Sequence, residues 1–458
     1  MRFLFTTLQF AETDFYGRVS RQLEQMGHEC VHAVYSRQGA EQLRTEGFTT
    51  WCLADLIEEA GGDLDVAAEV ERIESAYDIP AIRRVHLTDP PVRNRPEAEL
   101  TERSVRHFRA LERVFDEAQP DVLVPEVGRE TMRQVATLIA DARGVTYFYF
   151  YLTIFPNSLL LFANQAYGRI MEAEEVRELS ADERDEVGAF IESYKERAKP
   201  IYRHRKSQVR PDKLREFARH IRVSRSQDRD NEYLRPSQFV KNYARLNSRR
   251  ALLSRRYDDV PTDRPFVYFP VHVIDDFKIE ALIPHCADQE FLIKLVADSL
   301  PQGYDVVLKE HPLSLGRNPV SMLRRLSRMR NVRLVHPETS SHELIERAEA
   351  VTVISSTVGL EALMYDKPVM TMGKPFWSGY GVTLDLESFH EVRDAVPSLL
   401  EWKPDPERIR EFFGGATRST YPGKPGLQDS SDENVRRMAG TLDAAARKYA
   451  AEPAAATA

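Results

Sequence analysis

The chain has 458 residues, of which 42% are apolar and 29% charged. That length exceeds one ordinary core, and the composition excludes a disordered or fibrous chain, so two globular domains with additional segments are expected. A net charge of −8 argues against general nucleic-acid binding, and no nucleic-acid partner is expected.

The N-terminal run Arg2 to Thr7 reads as a buried parallel strand. Its apolar stretch ends too soon for a signal peptide, because Glu12 and Asp14 follow closely. Asp14 to Met26 reads as an amphipathic helix closed by Gly27, Cys30 to Tyr35 as a second strand and Gly47 to Leu53 as a third. Glu58 to Ala76 is acidic and helical by pattern. Leu100 to Ala118 is a helix with Leu111, Val114 and Phe115 on one face. Pro120 to Glu126 is a strand ending in a carboxylate, Arg129 to Arg143 the next helix and Val145 to Tyr151 the next strand. This alternation is that of a doubly wound α/β lobe, assigned to residues 1–156.

After Pro156 the pattern changes. Residues 157–259 are charge-dense and read as a helical, basic insertion or linker. From Ile201 to Arg256 there are 17 Lys and Arg against 5 Asp and Glu. A local balance this basic on an otherwise acidic chain suggests a surface for an anionic lipid head group, a lipid-linked phosphate or an acidic glycan, with Arg203, Arg205 and Lys206 facing it. Strand–helix alternation resumes over 260–402, with strands at Phe266 to Pro270, Tyr304 to Lys309, Val332 to His336, Val351 to Ile354 and Pro368 to Met372. Residues 403–449 hold closing helices, and the Ala-rich 450–458 is expected to be a disordered tail. No apolar run reaches the roughly 20 residues of a membrane span. Cys30, Cys52 and Cys286 form no Cys-x-x-Cys pair, so neither a zinc site nor a disulfide framework is supported and a reducing cytoplasm is the natural location.

The candidate chemistry gathers at strand ends, where open parallel sheets bind ligands. Lys309-Glu310-His311-Pro312 puts a cation, a carboxylate and an imidazole after one strand. Such an imidazole can donate to a phosphate oxygen. Ser355-Ser356-Thr357-Val358-Gly359 is a hydroxyl-rich turn from a strand into a helix, suited either to phosphate or to simple capping. Gly359 would let a ligand or backbone approach closely. Glu361, one turn after Thr357, can accept from ribose hydroxyls, and His272 can reach the same crevice. In the first lobe Glu126 and Asp14 are the candidate general bases, with Glu12 and Glu130 as weaker ones. Neither Gly-x-Gly-x-x-Gly nor Walker A is present, and no Asp-x-Asp follows a strand, so no cofactor and no metal are expected.

The run Phe266 to Pro270, then Asp288-Gln289, Lys309-Glu310-His311-Pro312, Ser355 to Leu363, Lys367-Pro368-Val369 and Gly373 to Trp377 resembles the capsule polysaccharide biosynthesis glycosyltransferases, among them the β-Kdo transferases. The resemblance covers about Pro265 to Thr383. It implies a GT-B fold, two Rossmann-like lobes facing a cleft, with a nucleotide-sugar donor held mainly by the second lobe and no required metal. It implies that His311, Ser355, Ser356 and Thr357 bind the donor phosphate, that Glu361 lies near the ribose or base, and that a CMP-activated acidic sugar such as Kdo is the preferred donor. The acceptor would be a surface polysaccharide or lipid-linked glycan, met in the cytoplasm or at the inner face of the cell membrane. Three alternatives remain open at this point: a non-hydrolysing sugar-nucleotide 2-epimerase, a CDP-polyol phosphotransferase and a non-catalytic scaffold of surface-polymer assembly.

Overall fold

The computed structural model describes residues 1–62, 64–89, 92–126, 128–197, 257–273, 277–311 and 317–450, together with 244 and 248. Among these the chain divides into two α/β units, one built from 1–167 and 420–450, the other from 168–197 and 257–419.

The first unit begins with β1 (Arg2–Thr7), α1 (Phe10–Gln25), β2 (Glu29–Val34), α2 (Arg37–Thr45) and β3 (Thr49–Cys52). It continues with α3 (Leu53–Glu59), α4 (Val66–Ala76), α5 (Arg83–His86), α6 (Glu97–Ala118), β4 (Val122–Val124), α7 (Thr131–Arg143), β5 (Thr146–Leu152) and β6 (Leu159–Ala163). The strand order is β3-β2-β1-β4-β5-β6. All neighbours are parallel except β5 and β6, which form an antiparallel hairpin. This is the doubly wound order, and its reversal lies between β1 and β4, where Phe3 pairs with Val122.

Two readings from the sequence change here, and a third falls outside the described residues. The acidic stretch Glu58 to Ala76 is not one helix but the end of α3 and all of α4, separated by Gly61 and Gly62. Leu159–Ala163 falls within the expected helical insertion, yet it forms an edge strand of the first sheet, with Ser158 at a φ of 65° turning the hairpin. The basic half of that insertion, including Arg203, Arg205 and Lys206, lies outside the described residues, as does 451–458.

The second unit contains α8 (Ala181–Arg197), β7 (Phe266–Val271), α9 (Gln289–Ser299), β8 (Asp305–Glu310), α10 (Val320–Leu326), β9 (Val332–Val335), α11 (Ser341–Arg347) and β10 (Ala350–Val353). It ends with α12 (Val358–Leu363), β11 (Val369–Thr371), β12 (Leu384–Asp385), α13 (Val392–Glu401) and α14 (Pro406–Arg418). Its sheet is parallel throughout, in the order β12-β11-β10-β7-β8-β9. The same doubly wound order therefore occurs twice, and here the reversal lies between β7 and β10. Each sheet is covered by its own core. Phe3, Phe5, Phe15, Val19 and Leu23 pack in the first, and Val267, Phe269, Leu292, Val306 and Leu308 in the second.

The two closing helices part company. α14 stays with the second unit, where Phe413 meets Phe190 of α8 at 6.3 Å and Arg418 pairs with Glu183 at 3.1 Å. The last helix, α15 (Asp432–Tyr449), returns to the first unit. Its Val435, Met438 and Leu442 complete the core over α1, and Asp443 bonds His28 at 2.7 Å. Among the described residues no helix is long and apolar enough to cross a membrane.

Candidate functional site

In the second unit, the chain leaves β7 at His272 and β10 at Ser355, on either side of the reversal point. The backbone N–H of Ser355 donates to Nε2 of His272 at 3.2 Å. That ring nitrogen is an acceptor, so His272 carries its proton on Nδ1 when neutral. The backbone of His272 is clamped in turn by Gln289, with its N–H donating to Oε1 at 2.9 Å. His272 thus fixes the hydroxyl-rich turn. The Ser355 hydroxyl is buried and has no hydrogen-bond partner among the described residues. Ser356 Oγ accepts from the Val358 N–H at 3.3 Å, as a cap does. Thr357 is half-buried and caps nothing with its side chain.

Gly359 serves packing. A Cβ there would fall inside the van der Waals envelope of the Trp377 indole, which is fully buried. The close approach anticipated for a ligand is made by this ring.

Strand alternation separates Lys309 from Glu310. Glu310 is fully buried among Asn318, whose Nδ2 donates at 2.8 Å, and Tyr257, whose hydroxyl donates at 3.4 Å. Burial raises its carboxyl, and the structure does not bring it to the other candidates. Lys309 donates to Ser341 Oγ at 2.5 Å. Burial lowers its ammonium to about 8, although the charge of Glu361 works the other way. Glu361 is raised to about 7 by burial, against the pull of Lys309 and a hydrogen bond from Tyr194. The Tyr194 hydroxyl lies 3.4 Å from Glu361 Oε1, and His342 Nε2 lies 3.6 Å from Oε2. Burial and then Lys309 lower His342, so at neutral pH that approach is not an ion pair. His342 also meets the Tyr365 hydroxyl at 3.0 Å through Nδ1. His311 is exposed just beyond β8. The result is a half-enclosed polar cluster at the carboxyl ends of β8 and β10. Two of its ionisable groups are poised near neutrality, a pattern associated with functional sites.

Tyr194, Ser341, His342 and Tyr365 were not singled out from the sequence. For Ser341 and His342 the signal was a helix start beside the crevice. Tyr194 reaches Glu361 across 167 residues of chain, a separation with no local signature.

The first unit carries a second cluster at its own reversal point, between the ends of β1 and β4. Glu126 follows β4 with a φ of 54°, and only 7% of its surface is exposed. The Tyr16 hydroxyl donates to Glu126 Oε1. Glu12, at the start of α1, accepts from the Leu8 N–H at 2.8 Å and from Arg133. Arg133 also lies 3.7 Å from Glu126 and 3.5 Å from Glu130. Gly128 leaves room for this arrangement, since a Cβ there would collide with Glu130 and Arg133. Burial, then the charge of Glu12, push the Glu126 carboxyl up to about 8. Burial also raises Glu130. For Arg133 burial works downward, but the three carboxylates outweigh it and the guanidinium is held charged. Asp14 is not part of this cluster. It is half-buried, pairs with Arg18 at 3.4 Å and accepts from Gln42 at 3.3 Å.

Residues 181–399 match the family described as capsule polysaccharide biosynthesis protein. The stretch that carries the resemblance read from the motifs, Pro265 to Thr383, lies within it. Among curated relatives, FixF of Sinorhizobium fredii is 29% identical over 35% of this chain and 39% of its own length. LipA of Neisseria meningitidis serogroup B, a capsule polysaccharide modification protein, is 28% identical over 28% of this chain and 19% of its own. KpsS of Escherichia coli, a capsule polysaccharide export protein, is 29% identical over 25% and 29%. The matched stretch thus spans well under half the length of each of these relatives. Two solved structures align with this chain at low scores. The β-Kdo 2,4 transferase KpsC of Thermosulfurimonas dismutans aligns over 64% of this chain and 78% of its own, with 16% identity and a TM-score of 0.33. The UDP-GlcNAc 2-epimerase of Neisseria meningitidis aligns over 98% and 100%, with 11% identity and a TM-score of 0.33.

Proposed function

We propose that this chain transfers a sugar from a nucleotide-sugar donor, of the CMP-Kdo kind, to a surface or capsular polysaccharide or its lipid-linked precursor. The reading rests chiefly on one observation. Within the stretch matching the capsule biosynthesis family, buried Lys309 at the end of β8 and half-buried Glu361 of α12 interact electrostatically near the carboxyl edge of a doubly wound sheet, the edge where such sheets bind ligands. A cation and a carboxylate so placed suit a phosphate and a ribose diol respectively.

In the proposed mechanism the bond between the anomeric carbon and the phosphate oxygen breaks, and its electron pair leaves with the phosphate. Lys309 and His311 offset the charge that builds there, an electrostatic role that needs no metal. Glu361 accepts from ribose hydroxyls. His272 acts on the turn rather than on the donor, because its Nε2 already holds the Ser355 N–H. The acceptor hydroxyl attacks the anomeric carbon and its proton passes to Glu126, with inversion expected for an in-line attack. Glu126 is favoured over Asp14 because it is buried at a sheet reversal point, whereas Asp14 is half-buried and ion-paired with Arg18. The family match and the capsule modification relative support a role in surface-polymer assembly, placed in this proposal at the cytoplasmic face of the membrane.

The test is turnover of CMP-, CDP- and UDP-linked sugars with and without capsule oligosaccharide. A transferase forms extended glycan only with acceptor, and Lys309→Met and His311→Ala lose that turnover while melting cooperatively. Conversion of a sugar nucleotide without acceptor would favour an epimerase and overturn the proposal.

A further inference from the structure

The cluster at the first sheet's reversal point holds more carboxylates than its positive charge can match. Glu12, Glu126 and Glu130 surround the single guanidinium of Arg133, and Glu12 is 1% exposed. Glu12 and Glu126 also converge on the same Arg133 nitrogen, Nη2, with Glu126 Oε2 at 3.7 Å from it. Two buried carboxylates gathered on one guanidinium nitrogen repel unless a proton is held there. Glu12 already takes both the Leu8 N–H and the Arg133 guanidinium. Glu126 has Tyr16 as a donor and retains a little exposed surface. It is therefore the member that can exchange a proton with a bound hydroxyl.

We infer that Glu12 and Glu126 share one proton, and that Glu12, Tyr16 and Arg133 are positioning residues that set when Glu126 can accept another group's proton. The inference deepens the proposed function and rests on it only where Glu126 is taken as the base. The step balances. The acceptor O–H bond breaks as oxygen bonds the anomeric carbon, the electron pair of the broken glycosyl bond leaves on phosphate, and the proton ends on the Glu12–Glu126 pair. The groups around Glu126 are Glu12 and Tyr16 from α1 and Glu130 and Arg133 from α7. Behind Glu130 stands Asp89, itself 3.5 Å from Arg103 of α6.

These neighbours act in opposite directions, which gives a signature that a merely structural role would not produce. Glu12→Gln removes a like charge and frees Arg133, so Glu126 should ionise at lower pH. Tyr16→Phe removes a donor to the carboxylate, so Glu126 should ionise at higher pH. The experiment is isotope-edited infrared titration of ¹³C-glutamate-labelled full chain. The Glu126 band is assigned by its loss in Glu126→Gln. Expected are a wild-type midpoint near 8 and displacements of about one pH unit or more, downward for Glu12→Gln and upward for Tyr16→Phe. Displacement of both variants in one direction, or of neither, overturns the inference. Should Glu12→Gln not fold, Tyr16→Phe alone decides by its direction. The acid limb of kcat/KM against pH, measured on the same variants, should move with the infrared midpoints. Infrared midpoints that move while the acid limb stays fixed would leave the shared proton standing and remove Glu126 as the base.

Discussion

Gly359→Ala separates a packing glycine from a ligand-binding one. The position lies in the first turn of α12 and its backbone is not left-handed, so alanine is allowed conformationally. Alanine would gain up to about 1 kcal/mol of helix propensity. Against this, its Cβ meets three atoms of the Trp377 six-membered ring, and that ring is fully buried and cannot swing into solvent. Overpacking of this kind costs about 1–3 kcal/mol, and a collision with a rigid aromatic belongs at the upper end. The net expectation is a loss of about 2 kcal/mol, or roughly 4–8 °C for a unit of this size. The assay is urea and thermal unfolding of Gly359→Ala, Trp377→Phe and the double variant. Phenylalanine withdraws the outer ring, so in that background alanine should cost less than about 0.5 kcal/mol and the pair should be strongly non-additive. Gly359→Ala as stable as wild type but unresponsive to nucleotide would refute the packing argument and restore the glycine to the ligand.

Other outcomes follow from the same geometry. The Glu126 carboxyl rises from 4.5 to about 8, so the folded state keeps a proton that the unfolded chain has released. Its contribution is fully present below about 4.5 and is lost as pH climbs to about 8, a linkage on the order of 5 kcal/mol. Urea unfolding should therefore show wild type losing more stability than Glu126→Gln between about pH 5 and 9, and parallel curves would contradict the assignment. Lys309→Met removes the cation that holds Glu361 down, so Glu361 should titrate above its present value of about 7, as read by carboxyl infrared bands. Asp14→Asn should change stability by less than about 0.5 kcal/mol and leave turnover intact, because its ion pair is a solvent-exposed one. A large loss of turnover would make Asp14 the base.

The alternation of strands and helices was legible because parallel strands buried on both faces read as short apolar runs, as in β1, β7 and β8. The edge strands were harder. Leu159–Ala163 follows Pro156-Asn157-Ser158, which looks like the end of an apolar stretch and is in fact the turn of a hairpin. β12 has two residues and too little sequence to show a pattern. At the sites, strand ends pointed to Lys309, Glu361, His272 and Glu126, which the structure places beside the reversal points of the two sheets. Alternation along β8 was enough to separate Glu310 from Lys309, had it been applied there. Glu12 and Tyr16, one turn apart on α1, carried the same kind of signal for the buried cluster. Nothing local could have paired Gly359 with Trp377 or Glu361 with Tyr194, because those contacts exist only once the sheet has formed.

In the proposed function the second unit binds a nucleotide through Lys309 and Glu361. Its most direct test is the melting midpoint of the full chain with CMP, CDP, UDP or GDP, since a ligand at 100 times its Kd adds about 2.7 kcal/mol to the folded state. The account predicts that CMP raises the midpoint and that Lys309→Met and Glu361→Gln each abolish the rise. A rise with UDP or GDP alone would keep the site and change the donor. No rise with any of the four, in a protein that melts cooperatively, would contradict the account.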